Sequence, residues 1–188
     1  MRVALASANL TKLRELRSCL PDWSIEPIAT ATPEEVGSTY YENACEKARF
    51  GAAVAPGSWI LSEDSGLEVA GLGGRPGVHS ARYAGPGEDA VAKLLLDLEG
   101  VTGEGRRARY VCELVLLGPD GQELRATGIL EGSIAEEPRG SEGFGYDPVL
   151  VPKGESRTVA ELGNAWKRGH SHRARAAAAL LRSLGDRV

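Results

Sequence analysis

At 188 residues the chain is long enough to bury a core without disulfide staples. Its formal net charge of -4 argues against bulk binding to nucleic-acid backbone, which needs a broad basic face, so an anionic ligand must be met by a few placed cations. Cys19, Cys45 and Cys112 are odd in number, far apart and each in an apolar periodic run, and they read as buried small hydrophobes in a reducing compartment. No apolar run approaches membrane-spanning length, and Met1 to Ala6 is too short for the central region of a signal peptide, which together predict a cytoplasmic protein.

Val3 to Ala6 reads as a short buried strand, and Leu10, Leu13, Leu16 and Leu20 mark the apolar stripe of a helix ending before Pro21. Asn9 is a good N-cap, which puts Lys12 in the first turn, where the helix dipole disfavours a cation. A lysine beside free N–H groups at a helix start makes an anion site, with a solvated lysine as the alternative. It is not a Walker loop, because the glycines and the lysine-serine or lysine-threonine pair are missing. Trp23 to Ile28 reads as a second strand, followed by a polar connection carrying Glu34, Glu35 and Gly37. The next helix spans about Thr39 to Ala55, with Tyr41, Ala44, Cys45, Ala48 and Ala52 as its packed face and Asn43 and Lys47 sharing another.

Pro56-Gly57 ends that helix, and Trp59 to Leu61 leads into a charged corner, Glu63-Asp64-Ser65-Gly66-Leu67. Two adjacent acids at the end of a buried strand are costly to hold without a cation, and a divalent metal is the usual answer. A magnesium site serving a phosphate substrate is therefore expected here. Glycines packed between residues 66 and 77 imply tight turns or close backbone approach to a ligand.

Glu88 to Leu98 is a predicted helix with Ala92, Leu95 and Leu96 facing inward, and Arg109–Leu117 with Gln122–Leu130 has the alternation of a β-hairpin around Gly118-Pro119-Asp120-Gly121. In Gly143-Phe144-Gly145-Tyr146-Asp147-Pro148, glycines alternate with aromatics, which suits a stacking surface for a planar base better than a core element. Val149 to Val151 is a strand, Val159 to Leu162 starts a short helix, and Ser171 is the plausible N-cap of a closing helix over Ala174–Leu184. Ser171, His172 and Arg173 give three adjacent side chains with donors, suited to carbonyl oxygens on a base. The order of elements favours an α/β domain with a mixed sheet, with two lobes flanking a cleft.

Ser7-Ala8-Asn9 with Lys12 and Glu15, Glu42-Asn43-Ala44 with Lys47-Ala48, Asp64-Ser65-Gly66-Leu67, Gly73-Gly74 with Pro76-Gly77, Ser80-Ala81-Arg82-Tyr83, Gly143 to Pro148, and Lys167 with Ser171-His172-Arg173 occur in this order. A chain carrying them resembles the Ham1 family of inosine triphosphate pyrophosphatases over residues 2 to about 184. The resemblance implies a single domain over 1–188, built on an elongated mixed sheet with flanking helices in two lobes around a central cleft. It implies magnesium-dependent cleavage of inosine and xanthosine triphosphates and their deoxy forms, between the α and β phosphates, and a cytoplasmic homodimer with no nucleic-acid or membrane partner.

By position, the resemblance makes Asp64 the general base and a magnesium ligand, with Glu34 or Glu35 as the second acidic ligand. The substrate-binding set it implies is Ser7, Ala8, Asn9, Leu10, Thr11, Lys12 and Lys47 around the triphosphate, and Ser65 beside it. Phe144 stacks on the base, Gly145, Tyr146 and Asp147 complete the pocket, and Lys167, His172 and Arg173 read the purine edge. Residue 8 is alanine where many members have glycine, and residue 63 is glutamate where bacterial members often have aspartate. A nucleotide sensor on the same scaffold would keep Lys12 and the aromatic pocket but would have no use for the paired acids Glu63 and Asp64. A pyrophosphatase for modified pyrimidines is disfavoured by the residues from Lys167 to Arg173.

Overall fold

A computed structural model of the protein describes residues 1–28 and 33–185; residues 29–32 and 186–188 lie outside them. Six strands form one mixed sheet in the order β2-β1-β3-β4-β5-β6, with β1 Arg2–Leu5, β2 Ser24–Pro27, β3 Ile60–Val69, β4 Arg107–Leu117, β5 Glu123–Ile134 and β6 Leu150–Pro152. β1 runs parallel to β2 and to β3, and β6 runs antiparallel to β5. The helices are α1 Leu10–Cys19, α2 Tyr40–Val54, α3 Ala90–Asp97, α4 Val159–His170 and α5 His172–Gly185.

Backbone contacts divide the chain into two compact units. The first comprises Met1–Asp64, Cys112–Gly128 and His172–Val188, and the second Ser65–Val111 and Ile129–Ser171. In the first unit, strand alternation sorts side chains onto two faces. Val3, Leu5, Leu61, Cys112, Leu114 and Leu116 pack with Leu13 and Leu16 of α1 and with Ala176, Ala177 and Leu180 of α5. Their sequence neighbours Ala6, Ile60 and Val115 turn the other way, onto Ala44 and Ala48 of α2. Each fully buried leucine on such a face is worth about 1.5–3 kcal/mol relative to exposure. Gly128 is required where β5 meets the start of α5, since a Cβ there would lie 2.0 Å from the His172 carbonyl oxygen. The second unit has its own core, in which Leu67, Val69, Tyr110 and Leu130 enclose Val91, Leu94 and Leu98 from the α3 region.

Side-chain caps decide where the helices begin. Asn9 Oδ1 accepts the Thr11 and Lys12 N–H groups at 2.9 and 3.1 Å, and Asp89 caps α3 in the same way. Thr39 with Glu42, and Thr158 with Glu161, form reciprocal capping boxes for α2 and α4.

Several expectations are corrected. The strand carrying the two acids does not end at Leu61 but continues to Val69, so Glu63 and Asp64 lie within it rather than at a corner. Leu10 is 62% exposed, outside the apolar stripe of α1. The inner face of α3 is Val91 and Leu94, with Leu98 beside it; of the residues expected there Leu95 packs half-buried against the core, while Ala92 is exposed and Leu96 is 67% exposed. In α2, Ala44, Cys45 and Ala48 are buried as expected, Tyr41 and Ala52 pack half-buried against the same core, and Gly51 joins that face with Ile60 Cγ2 against it. α4 extends to His170, beyond Leu162, because the helix resumes after a break at Gly163, whose φ of 82° is non-helical. α5 begins at His172 and not Ala174.

Candidate active site

Adjacent residues on a strand face opposite sides, so Glu63 and Asp64 take different direct partners. Asp64 faces α2. Its Oδ2 accepts the Asn43 Nδ2 donor at 3.0 Å, and its Oδ1 lies 3.3 Å from Lys47 Nζ. The same ammonium donates to Glu35 Oε1 at 2.7 Å. Lys47 thus bridges two acids while 4% exposed, and α2 delivers both Asn43 and Lys47 because they are four residues apart. Burial pushes the Asp64 carboxyl up; Lys47 opposes this and the Glu35 charge reinforces it, leaving the group above the usual aspartate range. Burial also raises Glu35, but the charge and hydrogen bond of Lys47 outweigh it and hold that carboxyl low. Burial lowers Lys47, and Asp64 with Glu35 more than reverse the effect. Of the two acids the sequence left open, Glu35 stands against Lys47, whereas Glu34 is exposed.

Glu63 faces α1 and α5. Lys12 Nζ lies 2.6 Å from Glu63 Oε2, and Arg173 donates from Nε to Glu63 Oε1 at 2.9 Å and from Nη1 to Glu15 Oε2 at 2.7 Å. Burial alone would raise Glu63, yet Arg173 and then Lys12 hold it well below the usual glutamate range. Cys112 Sγ lies 3.7 Å from Glu63 Oε1, and burial pushes that thiol well up, which makes it inert. The anion site expected at the start of α1 is therefore composed differently. Asn9 already accepts the Thr11 and Lys12 N–H groups, and Lys12 is neither solvated nor free of a counter-charge. Ser7 is buried, with its Oγ accepting the Asn9 N–H, whereas Ala8, Asn9 and Leu10 are exposed and Thr11 is half-buried. No non-glycine residue among those described has positive φ, so alanine at position 8 carries no backbone strain.

In the second unit, Asp147 organises the aromatic loop. Its Oδ2 accepts the Phe144 N–H at 2.9 Å and the Lys167 Nζ donor at 2.6 Å, and the ammonium sits 4.7 Å from the centroid of the Phe144 ring. Gly143 has φ of 83°, and a Cβ there would lie 2.1 Å from Asp147 Oδ2, so only glycine permits this turn. Phe144 is half-buried and Gly145 exposed, while Tyr146 is buried in the core with its hydroxyl donating to the Ser80 carbonyl at 2.9 Å. Ser80 Oγ in turn accepts the Leu67 N–H at 2.8 Å and donates to the Gly77 carbonyl at 2.6 Å, linking the glycine-rich loop to β3. Ser65 is half-buried where β3 enters this unit. Lys167 belongs to the second unit, whereas His172 and Arg173, both buried, belong to the first.

Asn43, Glu15 and Glu63 received no individual role from sequence. Carrying the strand pattern of Ile60 and Leu61 forward through Asp64 would have separated the two acids. Among the described residues no three His, Cys, Asp or Glu side chains gather for a metal, so the carboxylates available beside one cation are Asp64 and Glu35.

Sheet and site together define an α/β protein with a carboxylate–lysine centre on a central strand. The chain belongs to the Ham1 family, whose model matches residues 3–183. It is 46% identical over 183 residues to a dITP/XTP pyrophosphatase of Deinococcus deserti, covering 95% of this chain and 87% of that one. It is 43% identical to a dITP/XTP pyrophosphatase of Bdellovibrio bacteriovorus, covering 98% of each. A solved structure of a Ham1 protein from Coxiella burnetii superposes with a TM-score of 0.88 at 38% identity, covering 99% of both chains.

Proposed function

We propose that the protein is a nucleoside triphosphate pyrophosphohydrolase that cleaves inosine and xanthosine triphosphates and their deoxy forms to the monophosphate and pyrophosphate. By removing these deaminated purine nucleotides it keeps them from incorporation into DNA and RNA. The dITP/XTP pyrophosphatase relatives support the substrate class. The observation that carries the chemistry is Asp64, buried on β3 between Asn43 and a lysine shared with Glu35.

Asp64 orients a water and takes its proton as the water oxygen bonds to the α-phosphorus. The bond from that phosphorus to the bridging oxygen breaks, and its electron pair leaves on pyrophosphate. Asn43 fixes the carboxylate's rotamer, and Lys47 and Lys12 place positive charge where the triphosphate gains negative charge. Glu35 and Asp64 are hard oxygen donors already gathered about a cation, a set that fits magnesium, which is held by one or two carboxylates together with substrate phosphates. When bound there, magnesium neutralises phosphate oxygens and polarises water.

Base selection falls to the aromatic loop. Phe144 offers the stacking ring, Gly145 the open approach to it and Asp147 the frame, while Lys167 presents a donor to a 6-oxo group that adenine's amino group cannot accept. Ser65 and the Ser7–Lys12 turn complete the substrate contacts, with His172 and Arg173 at the start of α5. The burial of Arg173 between Glu15 and Glu63 favours a role in holding that turn over direct contact with the base. Residues 1–188 act as one domain, in a cytoplasmic homodimer without nucleic-acid or membrane partners.

The test is to incubate the protein with magnesium and, separately, inosine, xanthosine, guanosine and adenosine triphosphates, measuring pyrophosphate and orthophosphate independently. Pyrophosphate mainly from the first two is expected. Orthophosphate as the product would overturn the cleavage position, and equal use of all four would overturn the base pocket.

A further inference from the structure

Helix α2 touches the sheet along three lines. Ala44 and Ala48 form its floor against Ala6, Ile60 and Val115. On one flank, Asn43 and Lys47 reach Asp64. On the opposite flank, Tyr41 and Cys45 reach a single carboxylate: Tyr41 Oη donates to Glu123 Oε1 at 2.6 Å, and Cys45 Sγ donates to Glu123 Oε2 at 3.3 Å. At about 100° per residue, each flanking pair stands to one side of the alanine floor. Beneath the stretch that carries Asn43 and Lys47 the floor is alanine, and methyl groups offer little to interlock against a roll of the helix. The two flanking pairs oppose such a roll.

The Tyr41 ring is held by a second residue of β5 as well. Two residues along β5, on the same face, Arg125 lies 4.3 Å from the centroid of the Tyr41 ring. Arg125 also donates to both oxygens of Glu113 on β4, at 2.9 and 3.0 Å, and Thr127 Oγ1 donates to the same Glu113 at 2.7 Å. The hydrogen bond to Glu123 pushes the Tyr41 phenol up to about 12, so it remains a donor throughout the working pH range.

We propose that Glu123 is a positioning residue for the reaction: by gripping Tyr41 and Cys45 it sets the roll of α2, and so the placement of Asn43 and Lys47 on Asp64. The inference rests on the pyrophosphohydrolase reading for what Asn43 and Lys47 do. Glu123 touches none of the groups assigned to substrate, and its effect runs through the helix. A displacement of about 1 Å in a catalytic group costs up to about 10²-fold in rate. The effect belongs in kcat more than in KM, because proton transfer to Asp64 is felt in the transition state.

The experiment measures kcat, KM and the melting midpoint for wild type, Tyr41→Phe, Glu123→Ala, Glu123→Gln and the Tyr41→Phe/Glu123→Ala pair with inosine triphosphate. Glu123→Ala is expected to lower kcat about tenfold or more at temperatures far below melting, with KM within about threefold of wild type. The double variant should be no slower than Glu123→Ala, because both changes remove the same contact. Glu123→Gln, which keeps an oxygen for the Tyr41 hydroxyl, should recover most of the loss. A Glu123→Ala kcat within about twofold of wild type, or losses that multiply in the double variant, would overturn the inference while leaving the activity standing. A wild-type protein that releases no pyrophosphate from any purine triphosphate would remove the functional reading and this inference with it.

Discussion

Glu63 and Asp64 are consecutive acids on one strand, both almost fully buried, yet the two faces of the sheet treat them oppositely. Glu63 meets Nε and Nη2 of Arg173 through Oε1 and the ammonium of Lys12 through Oε2, so two cations serve one carboxylate. Asp64 shares one ammonium with Glu35, so one cation serves two carboxylates. Arg173 and Lys12 overcome burial to hold Glu63 ionised and fixed, while at Asp64 burial prevails over Lys47, with the Glu35 charge adding to it, and leaves the carboxyl raised and ready to accept a proton or a second cation. Alternation of side chains along a strand, a property of the backbone alone, thus separates a structural acid from a chemical one.

That contrast can be broken by neutralising each acid in turn. Asp64→Asn is expected to lower kcat by about 10³- to 10⁴-fold, since it removes the proton acceptor and keeps the shape. The melting midpoint should hold or rise, because the variant relieves a shared cation of one acid, and turnover and melting on one preparation check both parts. Glu63→Gln should do the reverse to the fold, costing about 3–5 kcal/mol of stability by leaving buried cations without their counter-charge. Chemical denaturation measures it.

The pH dependence follows from the same difference. Glu63 has a folded pKa well below the ordinary value of 4.5, so its contribution is complete above that value and is lost as pH falls below it toward the folded pKa. Wild-type stability should therefore fall in that acid window with a slope of up to about 1.4 kcal/mol per pH unit from this group, and urea midpoints should show Glu63→Gln lacking that share. The smallest effect is expected at Leu10, which is exposed on α1: Leu10→Ser should change stability by less than about 0.5 kcal/mol, measurable by urea unfolding.

Much of this was legible in the sequence. Asn9 announced the start of α1, Gly118 to Gly121 the hairpin, and the spacing of Asn43 and Lys47 their common helix face. Local signals of this kind depend on neighbours within a turn or two. The parts that were not legible depend on distant partners. Lys12 looked like an unpaired cation because the acid that meets it lies on β3, and Arg173 looked available for a base because Glu15 and Glu63 come from α1 and β3. Tyr146 was read as part of an aromatic surface exposed between glycines, whereas its ring is buried and its hydroxyl donates to the Ser80 carbonyl. The inner face of α3 was legible only in Leu95, because its run of three leucines fits more than one stripe and the core beneath selects Val91 and Leu94.

The most direct test of the central claim, that a water oriented by Asp64 attacks the α-phosphorus, is hydrolysis of inosine triphosphate in oxygen-18 water followed by mass analysis of both products. Label in inosine monophosphate and none in pyrophosphate is the predicted result. Label in pyrophosphate would place the attack on the β-phosphorus and contradict the assignment of Asp64.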